Sequence, residues 1–323
     1  MDIAMKSAYQ RTGLSCNPGP RSVEIAAPAK INLFLEILRK RRDGYHELET
    51  VMTSVSLFDQ LRLSAREDGQ IRLKLMNSRF QLGNVPTDDR NLAVKAVHIL
   101  RKFIGDNRLP GCDILLYKRI PSEAGLGGAS SDAAAALLAG KLLWNLNLTE
   151  SELLSIAADL GSDVPYFLFG GTAMCRGRGE RIEPLPTTGG IPVVIAKPVS
   201  GLSTGDVFSN IQVPQQRRAA LPLLSEIVGR RFEKIGNHLF NRLTEAALPL
   251  NPEIAEIVSQ FEQTSAIGHQ MSGSGSSYFG IFRSMRAARQ AAQLLSNRLP
   301  KTSIYITQTL GSQKPTIPVM QPN

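Results

Sequence analysis

The sequence predicts a mixed α+β fold, and three observations carry that expectation. The run Cys112-Asp-Ile-Leu-Leu-Tyr-Lys118 alternates as a strand does, then gives way to a glycine-rich turn and an Ala/Leu-rich segment that reads as a helix. Other alternating or short apolar runs, at 22–37, 51–63, 71–75, 191–196 and 303–309, read as further strands. Between them lie segments with helical periodicity and capping residues, such as 92–103 and 149–160. A chain of 323 residues allows two domains or one large one.

Taken in order, residues 1 to about 21 read as a loose polar extension. Residues 22–37 read as two strand segments punctuated by Pro28, with Lys30 and Asn32 on one face and Ile31 and Leu33 on the other. A lysine in a strand ordinarily faces solvent; apolar neighbours on both sides of Lys30 give it reason to have a functional partner. Asp43-Gly44 is a turn signal. The basic run 39–42 solvates that turn on the plainest reading, while Tyr45 and His46 suit stacking on a base and hydrogen-bonding to its edge. The strands at 51–63 and 71–75 share a sheet, and the helix 92–103 starts at an Asp or Asn cap and ends near Gly105.

The rest of the chain is organised around Pro121-Ser-Glu-Ala-Gly125-Leu126-Gly127-Gly128-Ala129-Ser130-Ser131-Asp132. Glycines allow a tight turn and close backbone approach to a ligand. Ser130, Ser131 and Asp132 are N-cap residue types placed where the helix should begin. A helix start offers unpaired N–H groups and the positive end of the dipole, which suit a phosphate. An ordinary capped turn is the plain alternative. No Lys-Ser or Lys-Thr follows the glycines, which excludes the Walker pattern. The position in the chain does not suit a dinucleotide fold.

Further on, Thr149-Glu-Ser-Glu152 is a capping box for a helix to Leu160, with Gly161 just past its end. Asp163 follows in an apolar setting before Pro165, where a carboxylate needs a partner or a task, unless it only caps the turn. Residues 187–190 read as a domain connection, and 199–208 as a loop entering a helix. Residues 212–240 are basic and helical in parts, 251–263 and 284–297 are helices, and 266–282 is strand, Gly/Ser turn, strand. The tail from Gly311, with three prolines, is expected to be disordered.

Composition bounds the function. Hydrophobic residues at 42% and charged residues at 20% are ordinary for a soluble protein. No apolar run approaches the ~18 residues of a membrane span. Cys16, Cys112 and Cys175 are odd in number and far apart, which argues against a disulfide framework and for the cytoplasm. His46, His98, His238 and His269 show no ligand spacing, so no protein metal site is expected. The formal charge of +9 asks for polyanionic ligands. The basic residues are spread along the chain, which favours ATP and a phosphorylated small molecule over nucleic acid.

Three separated segments, Pro28-Ala-Lys30-Ile-Asn32, Gly125-Leu126-Gly127-Gly128-Ala129-Ser130-Ser131 and Ser272-Gly273-Ser274-Gly275-Ser276, resemble one kinase superfamily. It is the one named after galactokinase, homoserine kinase, mevalonate kinase and phosphomevalonate kinase. Asp43-Gly44-Tyr45-His46 and Gly161-Ser-Asp163-Val-Pro165 resemble its 4-diphosphocytidyl-2-C-methyl-D-erythritol kinase family, over roughly 23–310. Ala129 stands where glycine is often expected, and Gly205 follows Thr204 where proline is expected.

The resemblance implies a two-domain α+β kinase fold with its active site in the interdomain cleft. Residues 22–188 would form the ATP-binding domain and 189–310 a C-terminal α+β domain, between a flexible extension (1–21) and a disordered tail (311–323). It implies transfer of the ATP γ-phosphoryl group to the 2-hydroxyl of the methylerythritol unit, in non-mevalonate isoprenoid precursor synthesis. By position, Asp163 is the catalytic base and Lys30 its charged neighbour. Pro121, Gly125, Leu126, Gly127, Gly128, Ala129, Ser130 and Ser131 would hold ATP, with Ser131 assisting at the helix entry. Tyr45, His46 and Phe208 would hold the cytosine, with Asn32, Thr204, Gly273, Ser274 and Gly275 nearby. Mg²⁺ would arrive on the nucleotide. A cytoplasmic monomer or homodimer is expected, without nucleic-acid or membrane partners. A branched side chain at Gly127 should fill the phosphate space and leave the fold intact. Two other readings stand beside this one. A mevalonate or homoserine kinase would leave Tyr45, His46 and Phe208 without a base to hold. A non-catalytic nucleotide- or RNA-binding protein would not need Lys30 and Asp163.

Overall fold

The structure is a computed structural model that describes residues 15–19, 21–76, 83, 85–104 and 110–311. The apolar alternation after Arg21 continues into one 19-residue strand, β2 (Ser22–Lys40), where two segments were expected. Pro28 stays inside it because the antiparallel register with β3 (His46–Arg66) shifts between Pro28 and Ala29. Pro28 pairs with Phe58 and Ala29 with Val55, so Ser56 and Leu57 of β3 are left out of the register, and the irregularity exchanges the faces that β2 presents. Before the shift, Val23, Ile25 and Ala27 pack into one core; after it, Ala29, Ile31 and Leu33 pack into another. The even positions Lys30 and Asn32 therefore turn toward the glycine-rich loop, and the Lys30 N–H donates to the Leu126 carbonyl at 3.0 Å.

The first sheet runs β1 (Ser15–Gly19), β2, β3, β5 (Gly111–Tyr117), β4 (Ile71–Met76), with β6 (Thr172–Gly177) also on β3 and β7 (Arg181–Leu185) on β6. Part of the expected loose extension is thus a strand. Ser15–Gly19 pairs antiparallel with 22–26, where the edge of β2 has backbone groups to satisfy. Residues 1–14, the tail from 312 and the expected helix end at Gly105 lie outside the described residues. Helices α1 (Leu92–Ile104), α2 (Gly128–Leu143), α3 (Glu150–Leu160) and α4 (Val164–Phe169) contribute with this sheet to one core. In α2, residues 131–141 are all buried, which accounts for its alanines: a helix packed on all sides needs small, apolar residues.

The second sheet is antiparallel, in the order β10 (Gly268–Met271), β11 (Tyr278–Ile281), β8 (Pro192–Lys197), β12 (Ser303–Gln308). Its two faces follow the period-two rule. Val193, Ile195, Phe279 and Ile281 meet Ile31 and Leu33 of the first sheet. Val194, Ala196, Met271 and Tyr278 meet residues of α8 (Pro252–Phe261) and α9 (Met285–Arg298). The remaining helices are α5 (Thr204–Asn210), α6 (Leu221–Val228) and α7 (Thr244–Leu250). The chain does not divide cleanly at 188. The two-residue strand β9 (Phe240–Asn241) comes from the second half and pairs parallel with β2 of the first. The Thr309 N–H donates to the Ile191 carbonyl at 2.9 Å, which lays the stretch after β12 along the expected connection. No helix among the described residues is long and apolar enough to cross a membrane.

Candidate active site

The glycine-rich stretch turns sharply because Gly125 and Gly127 adopt left-handed backbone conformations, at φ 69° and 71°. Gly127 is the N-cap residue of α2, so the helix begins about one turn before the Ser130–Asp132 cap that the sequence suggested. Asp132 is buried inside the helix, where it accepts from the Lys118 ammonium at 2.8 Å and caps nothing. The first N–H groups of a helix lack intrahelical partners. Here they open on a cavity of about 750 Å³ lined by Gly125 to Ser130. A Cβ added at Gly127 would lie 2.7 Å from the Phe167 ring and 3.2 Å from Lys30 Cγ. The side chain at this position would thus point into the core and at Lys30, not into open phosphate space, which corrects the expectation that the fold would be untouched.

Lys30 projects from β2 into the same cavity, almost fully buried, with its ammonium 3.7 Å from the Asp163 carboxylate. It donates to Asn32 Oδ1 at 2.7 Å; Asn32 donates to Thr50 Oγ1 at 2.8 Å, and Thr50 to the Phe34 carbonyl at 2.6 Å. That chain leaves Lys30 one orientation. Burial lowers the Lys30 pKa below the ordinary lysine value, and Asp163 opposes the shift. Asp163 is the residue before α4, with Pro165 in the first turn of that helix. Its side chain is 34% exposed and makes no capping bond, so the carboxylate is available to the cavity.

The far end of the cavity is aromatic. The His46 and Phe208 rings lie 5.5 Å apart at 34°, and the Arg178 guanidinium sits 4.8 Å over the Tyr45 ring. Burial, then Lys40, lowers the His46 pKa, so at neutral pH its ring is an uncharged donor and acceptor. Thr204 and Ser274 share a hydrogen bond at 2.9 Å across the second-sheet side. Gly273, at φ 54°, passes so close that a Cβ would lie 3.0 Å from the Lys30 ammonium.

Of the residues that the sequence singled out, all but two line this one cavity: Lys30, Asn32, Tyr45, His46, Pro121, Gly125 to Ser130, Asp163, Thr204, Phe208, Gly273 and Ser274. Ser131 does not, because the earlier helix start turns it inward, where it is fully buried. Gly275 does not either; a Cβ there would meet Met271 Sδ at 2.7 Å, behind the turn. Arg178 and Arg90 also line the cavity and were not singled out. Arg178 stands in Arg176-Gly-Arg178-Gly179, whose flanking glycines were the available signal. Among the described residues no group of three or more His, Cys, Asp or Glu side chains converges to hold a metal ion.

Two family models match the chain, "GHMP kinases N terminal domain" over residues 91–171 and "GHMP kinases C terminal" over 220–301. A 4-diphosphocytidyl-2-C-methyl-D-erythritol kinase from Shouchella clausii is 43% identical over 80% of this chain and 84% of its own length. The chain belongs to the 4-diphosphocytidyl-2-C-methyl-D-erythritol kinase family. The Brevibacillus brevis member is 38% identical over 90% of this chain and 98% of its own. A crystal structure of a 4-(cytidine 5'-diphospho)-2C-methyl-D-erythritol kinase has a TM-score of 0.73 and 34% identity, covering 89% of this chain and 99% of that one.

Proposed function

We infer that the chain catalyses transfer of the ATP γ-phosphoryl group to the 2-hydroxyl of 4-diphosphocytidyl-2-C-methyl-D-erythritol, releasing ADP, in isoprenoid precursor synthesis. The observation that carries the reading is the Lys30–Asp163 pair, at 3.7 Å, in one cavity with the helix start and the Tyr45, His46 and Phe208 rings. Asp163 accepts the proton of the 2-hydroxyl as its oxygen bonds to the γ-phosphorus and the bond to the leaving ADP oxygen breaks. Lys30 stabilises the developing alkoxide and the equatorial oxygens. The N–H groups at the start of α2 bind phosphate oxygens. The cytosine stacks against Tyr45 and Phe208 while neutral His46 hydrogen-bonds its edge, and Arg178 and Lys40, which line the same cavity, offset the diphosphate charge.

Mg²⁺ enters with the nucleotide. Such an ion would be met mostly by substrate phosphates and water and would need few protein carboxylates. When bound it neutralises phosphate charge. We place the enzyme in the cytoplasm, as a monomer or homodimer without a nucleic-acid partner. Cys112 and Cys175 are both free and buried, in keeping with a reducing compartment. The test is ATP consumption with the diphosphocytidyl substrate, mevalonate and homoserine side by side. Turnover with the first alone supports the reading; turnover with either of the others overturns it.

A further inference from the structure

We propose that Lys118 is a positioning residue for the phosphate loop, tying the loop's entry and exit together through Asp59 and Asp132 and thereby setting the affinity for ATP. The proposal rests on the kinase reading above. Lys118 follows β5 and stands where the chain enters the loop; Asp132 stands where it leaves, just past the first turn of α2. Asp59 lies across from both on β3. The Lys118 ammonium donates to Asp132 at 2.8 Å and to Asp59 in a shorter bond. Asp59 Oδ1 also accepts from the N–H groups of Arg119 and Ile120, so the next two residues of the loop entry hang on the same carboxylate. The three side chains are only 4%, 0% and 5% exposed in the order Lys118, Asp59, Asp132. The ammonium also reaches the loop itself: a Cβ at Gly128 would lie 3.2 Å from it.

The charges in this cluster do not cancel. Two buried carboxylates face one ammonium, and Asp132 Oδ1 has no hydrogen-bond partner among the described residues. Burial, opposed by Lys118 and reinforced by Asp59, pushes Asp132 up to about 8. A proton on Asp132 near neutral pH leaves the cluster neutral where the triphosphate must sit. Above about 8 that proton leaves and a net negative charge stands under the site. Lys118 and Asp59 are the charged groups acting on Asp132; Lys30, Asp163, Arg90, Lys40 and Arg178 line the same cavity.

A cluster that only glued the core would affect melting and leave nucleotide affinity alone. The test is calorimetric titration of a non-hydrolysable ATP analogue with Mg²⁺ at pH 7 and pH 9, alongside steady-state kinetics. It compares wild type with Lys118→Met, Lys118→Arg and Asp132→Asn. Misplacement of ~1 Å in a preorganised site costs up to about a hundredfold. We expect Lys118→Met to bind the analogue about tenfold to a hundredfold more weakly, with kcat at saturating ATP changed less than about threefold. Lys118→Arg should recover part of that loss. Wild type should bind more weakly at pH 9 than at pH 7, and Asp132→Asn should narrow that difference to the part that Lys30 contributes. A folded Lys118→Met with wild-type affinity overturns the proposal. Should Lys118→Met fail to fold, Asp132→Asn decides, and a fall between pH 7 and pH 9 equal to that of wild type overturns it. A wild-type protein that binds no ATP analogue at all instead sinks the kinase reading.

Discussion

Asp163→Asn keeps the shape of the side chain and removes its charge. Asp163 is the only carboxylate within salt-bridge distance of the Lys30 ammonium among the described residues, at 3.7 Å. The substitution therefore removes the proposed base and strips a buried cation of its counter-ion. Loss of a general base costs about 10²–10⁴ in rate, which is roughly 2.7–5.4 kcal/mol at 1.36 kcal/mol per tenfold. Lys30 should respond as well. Burial already lowers its pKa and Asp163 holds it up, so the variant's Lys30 should lose its proton at a lower pH than in wild type. The sign follows: the charge on Lys30 is present below its pKa and lost as pH rises through it, so the alkaline limb of kcat should move to lower pH. A coupled assay of ADP release across pH measures both effects. Turnover within about fivefold of wild type, with an unmoved alkaline limb, would remove Asp163 from the chemistry, because general-base losses start near 10².

Three other outcomes follow from the geometry. Phe208→Ala should raise KM for the diphosphocytidyl substrate about 5–150-fold, from a stack worth about 1–3 kcal/mol, with KM for ATP barely moved. Equal weakening of both substrates together with a lower melting point would make Phe208, partly buried against the second-domain core, a packing residue only. Gly127→Ala should lower melting temperature and ATP affinity together, since its Cβ meets Phe167 at 2.7 Å in a left-handed conformation costing about 1–2 kcal/mol; calorimetry that finds both unchanged refutes this. Arg242→Met should destabilise by about 3 kcal/mol, because it leaves the fully buried Glu36 without its two guanidinium bonds, at 2.8 and 2.9 Å. Burial raises the Glu36 pKa, but the bonds from Arg242, Arg218 and Ile37 outweigh it and the value is lowered. That stabilisation is present above the ordinary carboxylate range and lost as pH falls through the folded-state value, so the melting gap between variant and wild type should narrow in acid.

What the sequence made legible was the local chemistry. The glycine loop, the Lys30/Asn32 face, the capping box at Thr149 and the strand–turn–strand at 266–282 depend on neighbouring residues only, and the structure has all four. Long-range geometry was not legible. Pro28 read as a break between strands, because a local rule sees the missing N–H and not the register shift with β3 that absorbs it. Ser130 to Asp132 read as caps by residue type, but Gly127, in a left-handed conformation, starts α2 earlier. The Lys118, Asp59 and Asp132 cluster joins residues up to 73 positions apart, from 59 to 132, and no spacing announces it. β9 is two residues long, too short for any periodicity, and it blurs the division at 188 by pairing with the first sheet.

That small strand links the two halves of the site. Asn241, buried on β9, donates to the carbonyls of Met271 and Gly273 at 2.8 Å each. Ser272 Oγ donates to the Gly125 carbonyl at 3.0 Å, and the Ser277 N–H to that of Ala124 at 3.2 Å. Gln270 donates to the Asn32 carbonyl on β2. The Gly/Ser turn of the second domain is thus hydrogen-bonded on one side to the phosphate loop and on the other to the strand that carries Lys30. These are buried amide and hydroxyl bonds, each worth on the order of 1 kcal/mol and costly to leave unmade. They fix the turn, the loop and the lysine relative to one another before any substrate arrives. Phosphoryl transfer asks chiefly for positioning and charge neutralisation, and a site held this way needs no rearrangement of its own backbone to supply them. The side chains at the open end are held less closely, and Tyr45 there is 53% exposed.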